Sequence, residues 1–132
     1  MTNDQIPNPN ESTKSKSKKY DIKERGLDFA VRVGIFTNKT IKNQATLEYG
    51  KQLIRSSGSI GANLEEADGT LTKKDFINKM AIARREARES KYWLRLIQQV
   101  NRLECPELVT LIGEANELVL ILSAIINKVK IQ

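Results

Sequence analysis

Between Ile22 and Val129 the apolar residues recur at three- and four-residue intervals in four successive segments, and nowhere do they alternate with polar ones. That is the helical period, so the pattern predicts an all-α fold. In the first segment residues 22, 29, 30, 33, 36 and 41 line one side despite Gly26 and Gly34. In the second, Leu47, Leu53, Ile54, Ser57, Ile60, Gly61 and Leu64 share a face that stops at Gly69. Its middle, Ser56 to Ala62, is almost entirely small. A kink would suit that composition, and so would one continuous helix packed closely on a neighbour; the flanking periods stay in phase, which favours the continuous helix. Thr72 and Asp75 have capping-box spacing and open a third helix that runs to about Leu103. Pro106 and Glu107 suit the first turn of a fourth, whose inward face reads Leu108, Leu111, Ala115, Leu118, Leu122, Ile125, Val129. Short connections force antiparallel neighbours, so residues 21–132 are expected to form an up-down-up-down four-helix bundle. Residues 1–20 are polar and lysine-rich, with too few apolar side chains to offset the entropy of ordering, and are expected to be a disordered tail.

The composition removes much chemistry. With no histidine and one cysteine, Cys105, the chain lacks the usual nitrogen ligands for transition metals, a base to activate the thiol, and any internal disulfide. Di-iron bundle sites built on Glu-x-x-His pairs are excluded on the same ground, as are helical nucleases that pair arginine with histidine. Ser57-Gly58-Ser59-Ile60-Gly61 follows no strand and lacks the lysine of a phosphate-cradling loop. Glu65, Glu66 and Asp68 beside Asn63 read as a solvated helix end, with a hard-cation cluster as the alternative. No catalytic residue, metal, cofactor or small-molecule substrate is expected. The longest apolar run, Leu118 to Ile126, is interrupted by Ser123 and falls far short of the roughly 18 residues of a membrane span. Without an apolar N-terminal segment the expected location is the cytoplasm, with no membrane partner.

The formal charge of +6 is concentrated. The stretch 73–102 carries nine lysines and arginines against Asp75, Glu86 and Glu89. At about 100° per residue, Phe76, Met80, Ala83, Ala87, Ser90, Leu94, Ile97 and Asn101 form the bundle seam. Lys73, Arg84, Arg88, Lys91, Arg95 and Arg102 form a ridge without an acid. Such a ridge is either a solvated face or a surface that neutralises phosphates with little sequence readout. A second apolar sector holds Ile82, Trp93, Leu96, Val100 and Leu103. It is covered by helix one or helix four, or by a neighbouring subunit; in the last case Trp93, Leu96 and Val100 are the expected oligomer interface.

Three motifs carry a family resemblance. They are Arg55-Ser56-Ser57-Gly58-Ser59-Ile60-Gly61-Ala62-Asn63-Leu64-Glu65-Glu66, then Lys74-Asp75-Phe76-Ile77, then Ile82-Ala83-Arg84-Arg85-Glu86-Ala87-Arg88-Glu89 with Tyr92-Trp93-Leu94. Over about residues 22–130 the chain resembles the bacterial 23S rRNA intervening-sequence proteins, departing from their frequent proline at Gly61 and glycine at Ala67. The resemblance implies a four-helix bundle that assembles into a homopentamer and has no established activity. It also implies kinship with the accessory variability protein of diversity-generating retroelements, a basic bundle that binds nucleic acid and a reverse transcriptase. Ser59, Asn63 and Glu66, on one helical stripe, then read as a structural polar set, with Arg84, Arg85 or Arg88 as expected partners. Two functions follow as expectations. One is a non-catalytic, oligomeric, RNA-associated protein acting through the ridge; the other is a structural or protein-partner module with no nucleic-acid role.

Overall fold

A computed structural model describes residues 21–40 and 43–132. The expected tail at 1–20 and Ile41 lie outside them. Four helices follow in chain order: α1 Ile22–Thr40, α2 Gln44–Asp68, α3 Lys73–Asn101 and α4 Pro106–Lys130. Each start has a local cause. Asn43 caps α2, its side chain accepting from the Thr46 N–H, and Thr72 caps α3 by accepting from the Asp75 N–H at 3.1 Å. Pro106 opens α4, where its missing N–H costs nothing. The stop after Asn101 is unusual: Arg102 sits in the left-handed region at φ 52°, a position that favours glycine.

α1 packs on α2 and α4, α3 packs on α2 and α4, and the two diagonal pairs make no close backbone approach among the described residues. The connections of a few residues make consecutive helices antiparallel, so this is the up-down-up-down bundle. Phe29, Phe36, Leu53, Ile60, Leu94 and Leu118 are among the large side chains in its core.

α2 runs unbroken through Ser56–Ala62, and the small residues there face two neighbours. Gly61 lies against Gly26 of α1, so close that a Cβ on Gly26 would stand 3.4 Å from the Gly61 Cα and 3.2 Å from Leu64. On the other side the Ser56 and Ser90 hydroxyls meet at 2.8 Å in the α2–α3 seam. These close approaches turn the inner face of α2 toward Thr46, Gly50, Ser56 and Ala67, which are buried, and leave Leu47 and Ile54 about half exposed. The apolar pattern alone had placed both inward. On α4, Ile126 takes the core place expected of Ile125.

α4 also departs from the expectation drawn from uninterrupted runs. By length and composition it is apolar enough to match a membrane span. Its leucine stripe, Leu108, Leu111, Leu118 and Leu122, is instead buried in the bundle.

Along the seam of α3, Ala83 and Ala87 are fully buried. Replacing either by leucine should lower the denaturant midpoint by the equivalent of about 1–3 kcal/mol, because the helices must separate to admit it. Gly34, which has nothing within 4 Å of a built Cβ, should behave oppositely: Gly34→Ala raises stability by roughly 0.5–1 kcal/mol. Urea melts of the three variants check both directions.

Candidate nucleic-acid interface

The charged side chains of α3 divide between its two flanks. The flank toward α2 holds the acids. There Arg55 of α2 pairs with Glu89 through Nη2 and stands 3.4 Å from the Glu86 Oε1 through Nη1. Glu86 is only 7% exposed, and its Oε1 has no well-aligned hydrogen bond; proximity to the guanidinium is what offsets its burial. Glu89 also accepts from the Trp93 indole N–H at 3.0 Å. That donor, with Arg55 behind it, holds the Glu89 carboxyl below the ordinary carboxylate range, and Glu89 in turn raises the Arg55 guanidinium. The Trp93 ring stacks on Tyr49 of α2 at 6.1 Å and meets Tyr92 edge-on at 5.1 Å.

The flank toward α4 holds the ridge. Arg84 donates from Nη1 to the Ser123 hydroxyl at 3.2 Å, while its buried Nε has no hydrogen-bond partner among the described residues. Lys91 donates to the Asn116 side-chain oxygen at 3.1 Å. Lys73, Arg88, Arg95 and Arg102 are exposed, and no member of the ridge forms an ion pair among the described residues. At 1.5 Å per residue, Arg84 to Arg95 spans about 16 Å, and Lys73 stands about as far again below Arg84. Arg102 lies past the last helical residue, so the helical wheel no longer sets its direction.

Several expected partners are replaced. Trp93 is covered by α2, neither by α1 nor by α4, because in this order of helices α3 borders only α2 and α4 and its acidic flank turns toward α2. Leu96 is partly buried beside it, and Val100 is 47% exposed. Asn63 donates to the Ser59 carbonyl at 2.8 Å and to its hydroxyl at 3.3 Å, within α2. Glu66 is exposed and accepts from Lys79 at 2.6 Å. Neither meets Arg84, Arg85 or Arg88, since Arg84 turns toward α4, on the far side of α3 from α2. Asp68 pairs with Lys23, so the acids near the end of α2 diverge, and no group of three potential ligands converges among the described residues. Arg25 closes the bundle, gripping Glu114 at 3.0 and 2.7 Å to join α1 to α4.

Arg55 is the residue that sequence reasoning missed. Its signal was present: Glu86 and Glu89, three apart, share a flank that needs a cation.

A carboxyl with a lowered folded pKa contributes stability above its unfolded pKa and loses it as pH falls through the folded one. Trp93→Phe keeps an aromatic ring, a smaller one, and deletes the donor. It should cost about 1 kcal/mol at neutral pH, with the deficit shrinking as Glu89 protonates in the acid range. Melting temperatures of wild type and variant from neutral pH downward check this.

The 23S rRNA-intervening sequence protein family model matches residues 18–124. No curated protein matches the chain. Among solved structures, a Bacteroides thetaiotaomicron protein of unknown function from the S23 ribosomal protein family is 32% identical, with a TM-score of 0.69 over 80% of this chain and 97% of that one. Its match extends over nearly all of that protein, and the family model spans all of α1, α2 and α3 and most of α4. The chain belongs to the 23S rRNA-intervening sequence protein family.

Proposed function

We propose that the chain is a non-catalytic, self-associating protein of the cytoplasm that binds RNA through Lys73, Arg84, Arg88, Lys91, Arg95 and Arg102. The carrying observation is electrostatic. The two acids in the middle of α3 are engaged by Arg55, while Arg88 and Arg95 stand exposed with no ion pair among the described residues. Cations so arrayed bind phosphate by releasing counterions, which gives affinity with little sequence preference. The family's connection with 23S rRNA supports RNA as the nucleic acid, and the resemblance supports a ring of five copies. Trp93 is packed on Tyr49 and the ridge residues themselves include no aromatic side chain, so backbone contacts dominate.

The competing reading is a protein-partner module with no nucleic-acid role. It is favoured by the half-exposed apolar residues on α1 and α4, among them Val31 and Leu120.

Filter binding of an rRNA fragment separates the two. With about four phosphates neutralised, affinity should fall roughly a hundredfold between low and near-physiological salt. Arg88→Glu with Arg95→Glu should abolish binding at both. Binding that ignores salt, or a double variant that binds like wild type, contradicts the proposal.

A further inference from the structure

α3 carries one aromatic side chain that the core does not use. Of the run Tyr92-Trp93-Leu94, Leu94 is fully buried and Trp93 is held by Tyr49 and Glu89, whereas Tyr92 is 57% exposed. Tyr92 and Trp93 meet edge to face, an arrangement that takes up at most one face of the Tyr92 ring.

Tyr92, Arg95, Leu96 and Gln99 line a groove of about 190 Å³. At about 100° per residue the four fall within an arc of about 100° on the side of α3 turned away from the seam. The groove therefore lies on the outward crest of the helix and shares Arg95 with the ridge. Arg88 stands one turn before Tyr92 and Arg95 one turn after it, about 10 Å apart along the axis. Both are exposed and form no ion pair among the described residues. No acid lines the groove, and Glu89, three residues before Tyr92, is turned to Arg55 and the Trp93 indole.

These groups suit a ligand that is flat, polar at its edge and attached to negative charge. An open aromatic face stacks on a nucleobase of any kind. The exposed Gln99 amide both donates and accepts, so it can meet a base edge without fixing which base is present. The guanidiniums on either side match phosphates. A purely apolar occupant would leave the arginines unused, and a simple anion would leave the ring unused. Paired RNA is excluded by shape: its bases are stacked inside the duplex, whereas a ring on a convex helix reaches only a base that is splayed out.

We infer that this groove takes an unpaired nucleobase of single-stranded RNA, stacked on Tyr92 with Gln99 at its edge, while Arg88 and Arg95 hold the phosphates on either side. The inference rests on the RNA-binding reading above and specifies the form of RNA. The ridge supplies most of the affinity through the backbone, and Tyr92 adds a contribution that only an unpaired base can collect.

The test uses the full chain and three RNA probes of one length at one low salt concentration: an unstructured single strand, the same strand with its bases removed, and a fully paired duplex. Wild type should bind the intact strand roughly tenfold more tightly than the abasic one. Tyr92→Leu, with wild-type helicity by circular dichroism, should lose roughly tenfold on the intact strand and nothing on the other two probes. Tyr92→Phe keeps the stacking face and should bind all three like wild type. A Tyr92→Leu protein that binds the intact strand like wild type, one that weakens on all three probes alike, or a Tyr92→Phe loss as large as that of Tyr92→Leu overturns the inference. In each of those cases the ridge reading stands as long as wild-type binding is present and collapses with salt. A wild type that binds none of the probes overturns both.

Discussion

The reach of Arg55 from α2 across to Glu86 and Glu89 is the contact on which the charge layout of the molecule depends. α3 is the most basic helix, yet its two central acids would dilute that field if they stood beside the arginines. Their positions along the helix put both on the opposite flank, and one cation from the neighbouring helix engages them there. Glu86 is buried there, a position untenable for a carboxylate without a nearby positive charge. Glu89 gains a second donor from Trp93, which ties the tryptophan to the same cluster. The family motif spanning Glu86, Glu89, Tyr92 and Trp93 is thus one side of an α2–α3 clasp. What remains on the other flank is cationic throughout.

That clasp requires α2 and α3 to approach closely, and small side chains permit it. Ser56 and Ser90 share a hydrogen bond where larger residues would hold the helices apart, and Ala83 and Ala87 continue the seam. On its other side α2 meets α1 at Gly26 and Gly61. Pairing glycines in helix interiors sacrifices propensity; the gain is a close α1–α2 contact, in a segment of α2 that stays helical throughout. At Gly61 the helix is continuous.

What the sequence reveals well is local. Helical period, the Thr72 cap, Pro106 at a helix start and the seam of α3 each depend on residues within a turn or two, so each is legible before any packing is known. The up-down-up-down order follows from connection length. What escapes is sidedness. Leu47 and Ile54 look like core residues until close packing turns Ser56 and Gly50 inward. Trp93 looks like a contact for the first or the fourth helix until Tyr49 of α2 is seen beneath it. Asn63 and Glu66 find partners at Ser59 and Lys79 rather than among the arginines, because those arginines lie on the flank that α2 does not touch. The ridge itself was visible on the helical wheel; Arg55, which pairs with the acids on the opposite flank, was not.

The central claim is that the arginines of α3 differ in availability from those already engaged by carboxylates. The side-chain Nε–H resonances of isotope-labelled arginine report on each guanidinium separately. On adding an rRNA fragment, the signals of Arg88 and Arg95 should shift, while those of Arg25 and Arg55, held by Glu114 and by Glu86 with Glu89, should stay in place. Shifts confined to Arg25 and Arg55, or none at Arg88 and Arg95 while the RNA is bound, would contradict the account.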